Sequence, residues 1–182
     1  MIDNLSICDE LIDIYNKSDK KFMGTIGGKI FPEPEYKQST EIEFLVNDIL
    51  LNSIESMYLQ ELAKCCDKYK EEYKYSGAYG AWKIIEHFKF QHYKPNEGYH
   101  IWHTERDQAD LATNNRHLVW MTYLNDVDDA GETEFYYQGI KVKPRKGLTL
   151  IWPVDWTHTH HGIASPTQHK YIMTGWYSYY NE

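Results

Sequence analysis

The spacing of apolar residues changes once along this chain, near Gly77 and Gly80. Before that point the steps are helical. Ile7, Leu11 and Ile14 share one face of a short helix that runs through Tyr15, with Asp3 or Ser6 as its cap. From Phe44 to Tyr73, Val46, Leu50, Ile54, Tyr58, Leu62, Cys65, Tyr69 and Tyr73 follow at steps of three and four. That spacing predicts one amphipathic helix or two in succession, laid against a face of a sheet. Between these stretches residues 21–31 read as extended with a bend at Gly27-Gly28, and Pro32 and Pro34 exclude regular structure after them.

Beyond Gly80 the pattern shortens to alternation. Ile84 to Tyr93 reads as a strand, ended by the turn Pro95-Asn96-Glu97-Gly98, and Gly98 to Glu105 as a second. Residues 106–115 are polar and irregular, as suits a loop at the mouth of a site. Leu118–Leu124, Thr133–Val142, Gly147–Trp152, Thr157–Ile163 and Lys170–Tyr179 supply further short strands. Short strands separated by turn residues indicate an antiparallel jelly roll. The fold class is α+β, mainly β: one domain over 1–182, with 1–78 as helical support and 79–182 as the β-roll core.

Composition narrows the function classes. Sixteen of the 182 residues are Tyr and six are Trp, five of the latter after Gly98, which favours pleated, half-buried surfaces there. A net charge of −8 argues against nucleic acid as a partner. Cys8, Cys65 and Cys66 are odd in number and lack metal-site spacing, so no disulfide framework is expected. With no long apolar run and no leader-like start, the expectation is a cytoplasmic chain with no membrane partner.

The candidate chemistry lies in the alternating half. In an extended segment residues two apart point to one side, so His103 and Glu105 project together. A histidine from the later run His158-Thr159-His160-His161 completes two imidazoles and one carboxylate, the set used by non-haem Fe(II) oxygenases. Read as a hairpin around Ser165-Pro166-Thr167-Gln168, the chain sets Lys170 opposite His160 on a neighbouring strand. A cation there suits a dicarboxylate bound to iron at one end and to an ammonium at the other, which separates use of 2-oxoglutarate from a plain metal-binding barrel. Trp102, Trp120 and Trp152 offer either an aromatic groove or core packing.

These residues resemble the 2-oxoglutarate/Fe(II)-dependent oxygenases, and within them the prolyl 4-hydroxylase-like group. The resemblance runs from about Phe88 to Tyr177. It is carried by Tyr93 with Gly98, His103-Thr104-Glu105, and Arg116 through Tyr123-Leu124-Asn125. Ala130-Gly131-Glu132-Thr133-Glu134-Phe135, Pro144 with Gly147, His160, and Lys170 through Gly175-Trp176 extend it.

The resemblance implies a double-stranded β-helix and His103, Glu105 and His160 as Fe(II) ligands. It implies Lys170 as partner of the 2-oxoglutarate 5-carboxylate, Tyr93 and Tyr123 as hydroxyl donors near the cosubstrate, and Thr174 and Trp176 as pocket lining. Dioxygen is the further cosubstrate, and ascorbate, which keeps iron reduced in many relatives, an accessory. The implied reaction hydroxylates a C–H bond of a peptidyl proline in a peptide or protein. The same chemistry on a free amino acid or other small molecule, and a non-catalytic metal-binding β-roll, are the alternatives.

Three departures stand out. Glu105 replaces the family's usual aspartate, and Ala130 replaces the first glycine of a Gly-Gly turn. The histidine run also leaves two distal ligands open, His160 by its spacing to the lysine and His158 otherwise. His100, out of phase with His103, is a structural or supporting residue.

Overall fold

The computed structural model describes residues 1–26, 32–51, 53–106 and 111–180. Two helices, α1 (Ser6–Lys17) and α2 (Ile54–Glu72), lie against a β-sandwich. Its strands are β1 (Phe22–Met23), β2 (Thr40–Phe44), β3 (Trp82–Lys83), β4 (Phe88–Tyr93), β5 (Tyr99–His103) and β6 (Arg116–Tyr123). They continue with β7 (Thr133–Phe135), β8 (Ile140–Val142), β9 (Thr149–Pro153), β10 (His160–Gly162) and β11 (Lys170–Tyr179). Among the described residues the larger sheet runs β1-β2-β4-β11-β6-β9, with β3 also on β11, and the smaller runs β5-β10-β7-β8, all antiparallel. From β4 onward consecutive strands alternate between the sheets, except for the β7–β8 hairpin, which makes the jelly roll.

The pleat divides the larger sheet into two chemistries. Phe88, Phe90, Leu118, Trp120, Met173 and Tyr177 face the helices and close a core with Ile7, Leu11, Tyr58 and Leu62. The alternate positions, Tyr93, Val119, Met121, Tyr123 and Ile172, face the smaller sheet. Gly175 is required by this packing, because a Cβ there would stand 2.5 Å from Cζ2 of Trp120 and 2.8 Å from Cβ of Phe88.

Several sequence expectations need correction. The helix expected from Phe44 begins at Ile54, where the Ser53 hydroxyl accepts from the Ser56 N–H at 3.2 Å, and Leu50 is exposed. Thr40-Glu41-Ile42-Glu43-Phe44 alternates with period two and forms β2 against β4, so the first 78 residues add strands as well as helices. At α1 the acceptor is Asn4, not Asp3 or Ser6: its Oδ1 takes the Ser6 N–H at 3.2 Å. Strand structure is broken over residues 84–87, and Thr133–Val142 is a hairpin turned at Gly139, whose φ is +63°. The Gly27-Gly28 bend and residues 107–110 of the 106–115 loop lie outside the described residues, while Leu111–Asn115, expected as irregular loop, forms a short 3-10 helix. The three cysteines are buried and unpaired, and no described helix is long and apolar enough to cross a membrane.

Candidate metal centre

β5 and β10 pair so that His103 stands opposite His160, with ring centroids 4.3 Å apart. Glu105, two residues past His103, points to the same side, and its Oε1 is 3.5 Å from Nε2 of each histidine. The three potential ligand atoms lie within 4.8 Å of one another. Nδ1 of His103 is 3.1 Å from the Ile101 carbonyl, and Nδ1 of His160 is 2.9 Å from that of His158. A carbonyl only accepts, so each Nδ1 carries the proton and each Nε2 presents a lone pair to the centre. The other oxygen of Glu105, Oε2, accepts from the Trp176 indole N–H at 3.0 Å.

Electrostatics act on two of these groups, Glu105 and His103. Burial alone would raise the Glu105 carboxyl, but His103 and His160 in their protonated, metal-free forms outweigh it, by hydrogen bonding and charge, and hold it well below the usual carboxylate range. Burial, and then His160, push the His103 imidazole down, toward its neutral state.

The centre opens into a cavity of ≈ 550 Å³ between the sheets. Lys170, 4% exposed, lies at one end, where its ammonium donates to the carbonyls of Gly131 (3.0 Å) and Ile163 (3.1 Å) and sits 5.0 Å from the Tyr93 ring centroid. Burial pushes this ammonium down to about 8. The hairpin expected to bring Lys170 beside His160 does not form. The segment between them crosses from the smaller sheet to the larger, held by Asn96 N–H on the Ser165 carbonyl (2.7 Å), and Lys170 pairs with Tyr93 instead.

Tyr93, Tyr123, Thr174 and Trp176 all line the cavity. Tyr93 donates to Gln91 Oε1 at 2.7 Å and Tyr123 to Thr133 Oγ1 at 2.6 Å, while Thr174 donates to the Trp120 carbonyl at 3.0 Å. Burial raises both phenols, so they remain protonated donors.

The other histidines stand apart. The His158 ring meets Thr157 and lines a second cavity, so its link to the centre is the carbonyl that orients His160. His161 bonds Glu134 at 2.9 Å against Trp102, and His100 is exposed. Of the three tryptophans, Trp120 is core, Trp152 lines the cavity, and Trp102 is on the outer face.

Sequence reading missed some supporting residues. Tyr99 stacks on His103 at 3.6 Å and 11°, on the strand phase that already pairs His103 with Glu105. Lys37 and Lys89 line the cavity, both paired with the buried Glu41 (2.6 and 3.4 Å) on the unrecognised β2. Two imidazole nitrogens and a carboxylate oxygen facing one point, with a buried ammonium in the same cavity, fit ferrous iron and 2-oxoglutarate.

The family model of the 2OG-Fe(II) oxygenase superfamily matches residues 88–178. Prolyl 4-hydroxylase subunit alpha-1 of Homo sapiens is 27% identical over 88 residues, covering 42% of this chain and 16% of that protein. The Gallus gallus protein is 28% identical over 74 residues, 37% of this chain and 14% of its own length, so the chain spans a small part of these relatives.

Among solved structures, the viral collagen prolyl hydroxylase vCPH from Paramecium Bursaria Chlorella virus-1 has a TM-score of 0.69 at 21% identity, covering 97% of this chain and 92% of that one. A Pseudomonas putida prolyl-4-hydroxylase has a TM-score of 0.73 at 14% identity, covering 97% and 89%. A Trichoplax adhaerens prolyl hydroxylase, in complex with a hypoxia inducible factor oxygen degradation domain peptide fragment, has a TM-score of 0.71 at 17% identity, covering 96% and 77%. These likenesses establish the fold, and with the family match spanning half of the sequence, the chain belongs to the 2OG-Fe(II) oxygenase superfamily.

Proposed function

We propose that this chain hydroxylates a C–H bond of a peptidyl proline, with His103, Glu105 and His160 as Fe(II) ligands and Lys170 as the anchor for 2-oxoglutarate. The observation that carries the reading is the convergence of these four side chains on one cavity. When bound, iron and 2-oxoglutarate supply the oxidation that inserts one atom of dioxygen into the substrate and releases succinate and carbon dioxide.

The chain's own groups do the rest. His103 and His160 present Nε2 because backbone carbonyls fix their Nδ1 protons. An ammonium has three donors. Two of those of Lys170 go to carbonyls, which leaves one for a carboxylate in the cavity. Thr174, Ile172 and Met121 line the wall and limit water. A peptidyl proline is supported by the names of the five similar proteins given above, which are prolyl hydroxylases.

A second reading, the same chemistry on a free amino acid or other small molecule, draws on Lys37 and Lys89 in the cavity wall. Lys89 lies opposite Thr174, four positions along β11 from Lys170; it is paired with Glu41 and Glu43, both at 3.4 Å, and would exchange one of them for a substrate carboxylate. Incubation with iron, 2-oxoglutarate and either proline-containing peptides or free proline separates the two. A mass gain of one oxygen on the peptide, with succinate formed, supports the first reading. A gain on free proline alone supports the second, and metal binding without succinate from any substrate rejects both.

A further inference from the structure

Glutamate differs from aspartate by one methylene, which adds a rotatable bond and lets the carboxylate turn both oxygens toward a metal. A facial set of three ligand atoms leaves three positions, which a bidentate keto acid and dioxygen would fill. A chelating Glu105 would take one of them. Here Oε1 faces the two histidines, while Oε2 is turned away onto the indole N–H of Trp176 at 3.0 Å.

The indole is itself held. The Arg116 guanidinium lies 3.6 Å over its ring, donates Nη1 to the backbone carbonyl of Glu105 (3.1 Å), and grips Glu86 through Nε (3.0 Å) and Nη2 (2.7 Å). Ser178 donates to the other oxygen of Glu86 at 2.7 Å. The loop closes: Arg116 fixes the backbone of Glu105 and the ring whose N–H fixes its side chain.

We propose that Trp176 is a positioning residue that confines Glu105 to one-oxygen ligation, so that glutamate works where relatives use aspartate. The proposal rests on the ligand assignment above and concerns geometry at the carboxylate. An aspartate at 105 would draw the carboxylate back by about 1.5 Å, beyond reach of the indole. The role of Trp176 should therefore depend on which acid is present.

The test is anaerobic Co(II) titration of the full chain, read by affinity and by the d–d absorption that reports coordination number. Trp176→Phe keeps a ring on Arg116 and deletes the donor. With Glu105 it should change the d–d bands, since Oε2 is freed to chelate, and tighten Co(II) binding by about threefold or more. In the Glu105→Asp background the same substitution should change affinity by about twofold or less. Equal effects in both backgrounds, or no effect with Glu105, would overturn the proposal. Should Trp176→Phe not fold, solvent exchange of the Trp176 indole proton gives a second measurement. It should quicken by about tenfold or more in Glu105→Asp, since a charge-assisted bond is lost, and an unchanged rate rejects the idea. No turnover is read, so a failure to hydroxylate any substrate leaves this result standing.

Discussion

The ammonium of Lys170 and the carbonyl of Gly131 are 3.0 Å apart, on a strand of the larger sheet and on the turn leading into the smaller one. That bond aims a buried cation into the cavity, where burial has already lowered it to about 8 and Glu132 offsets only part of the effect. A carboxylate needs the ammonium form. Affinity for 2-oxoglutarate should be flat below about pH 7.5 and fall by roughly tenfold per unit above pH 8.5, with a proton taken up on binding. For stability the sign is reversed. The unfolded lysine keeps its proton to about pH 10.4, so the cost of burying the ammonium is full below pH 8 and is relieved as pH rises between those values. Calorimetry in buffers of different ionisation enthalpy measures the uptake. Lys170→Met should lose on the order of a hundredfold in affinity and show no such pH slope.

The neighbouring turn carries strain. Ala130 has φ +57°, the left-handed region that a Cβ disfavours, while Gly131 follows at +85°. Ala130→Gly should raise stability by about 1 kcal/mol, since relief of that strain exceeds the entropy glycine gains when unfolded. Urea midpoints of the two proteins check this, and an unchanged or lower midpoint would mean that the alanine is not strained.

Metal binding should distinguish the histidines. His160→Ala removes a nitrogen that faces Glu105, whereas His158→Ala leaves the carbonyl that orients His160 in place. Excess Co(II) should raise the melting temperature of the parent protein and of His158→Ala, with little rise for His160→Ala. A loss confined to His158→Ala would overturn the ligand assignment.

Much of this was legible because strands have a simple period. His103 and Glu105 share a phase, as do Lys170, Ile172, Thr174 and Trp176 on β11, so a segment once read as extended declares its faces. What periodicity does not carry is which strands become neighbours. Lys170 was expected beside His160, but the two strands belong to different sheets, and pairing across a sandwich depends on loops such as Ser165–Gln168. Local ambiguity cost β2. Ile42 also continues the apolar steps of four before α2 (Val46, Leu50, Ile54), and only pairing with β4 selects the strand. The family resemblance supplied residue roles but not the Trp176 contact, which requires coordinates.

The buried acid of β2 should matter most for stability. Glu41 is fully buried, accepts from the Ser39 hydroxyl at 2.7 Å, and pairs with Lys37 at 2.6 Å and Lys89 at 3.4 Å. Burial would raise its carboxyl, but Lys37 and then Lys89 outweigh this and lower it. Lys37 is itself 5% exposed, so removing its counter-charge strands an ammonium in the cavity wall. Glu41→Ala should cost about 3–5 kcal/mol, the usual penalty for breaking a buried pair. Lys89→Met, which leaves the shorter pair intact, should cost less. Because the folded carboxyl titrates below its unfolded value, this stabilisation is present above about pH 4.3 and is lost as pH falls through the folded value. Denaturant titrations at pH 7 and about pH 3 test both claims, and a Glu41→Ala protein as stable as the parent at pH 7 would mean that the lysines reach water without it.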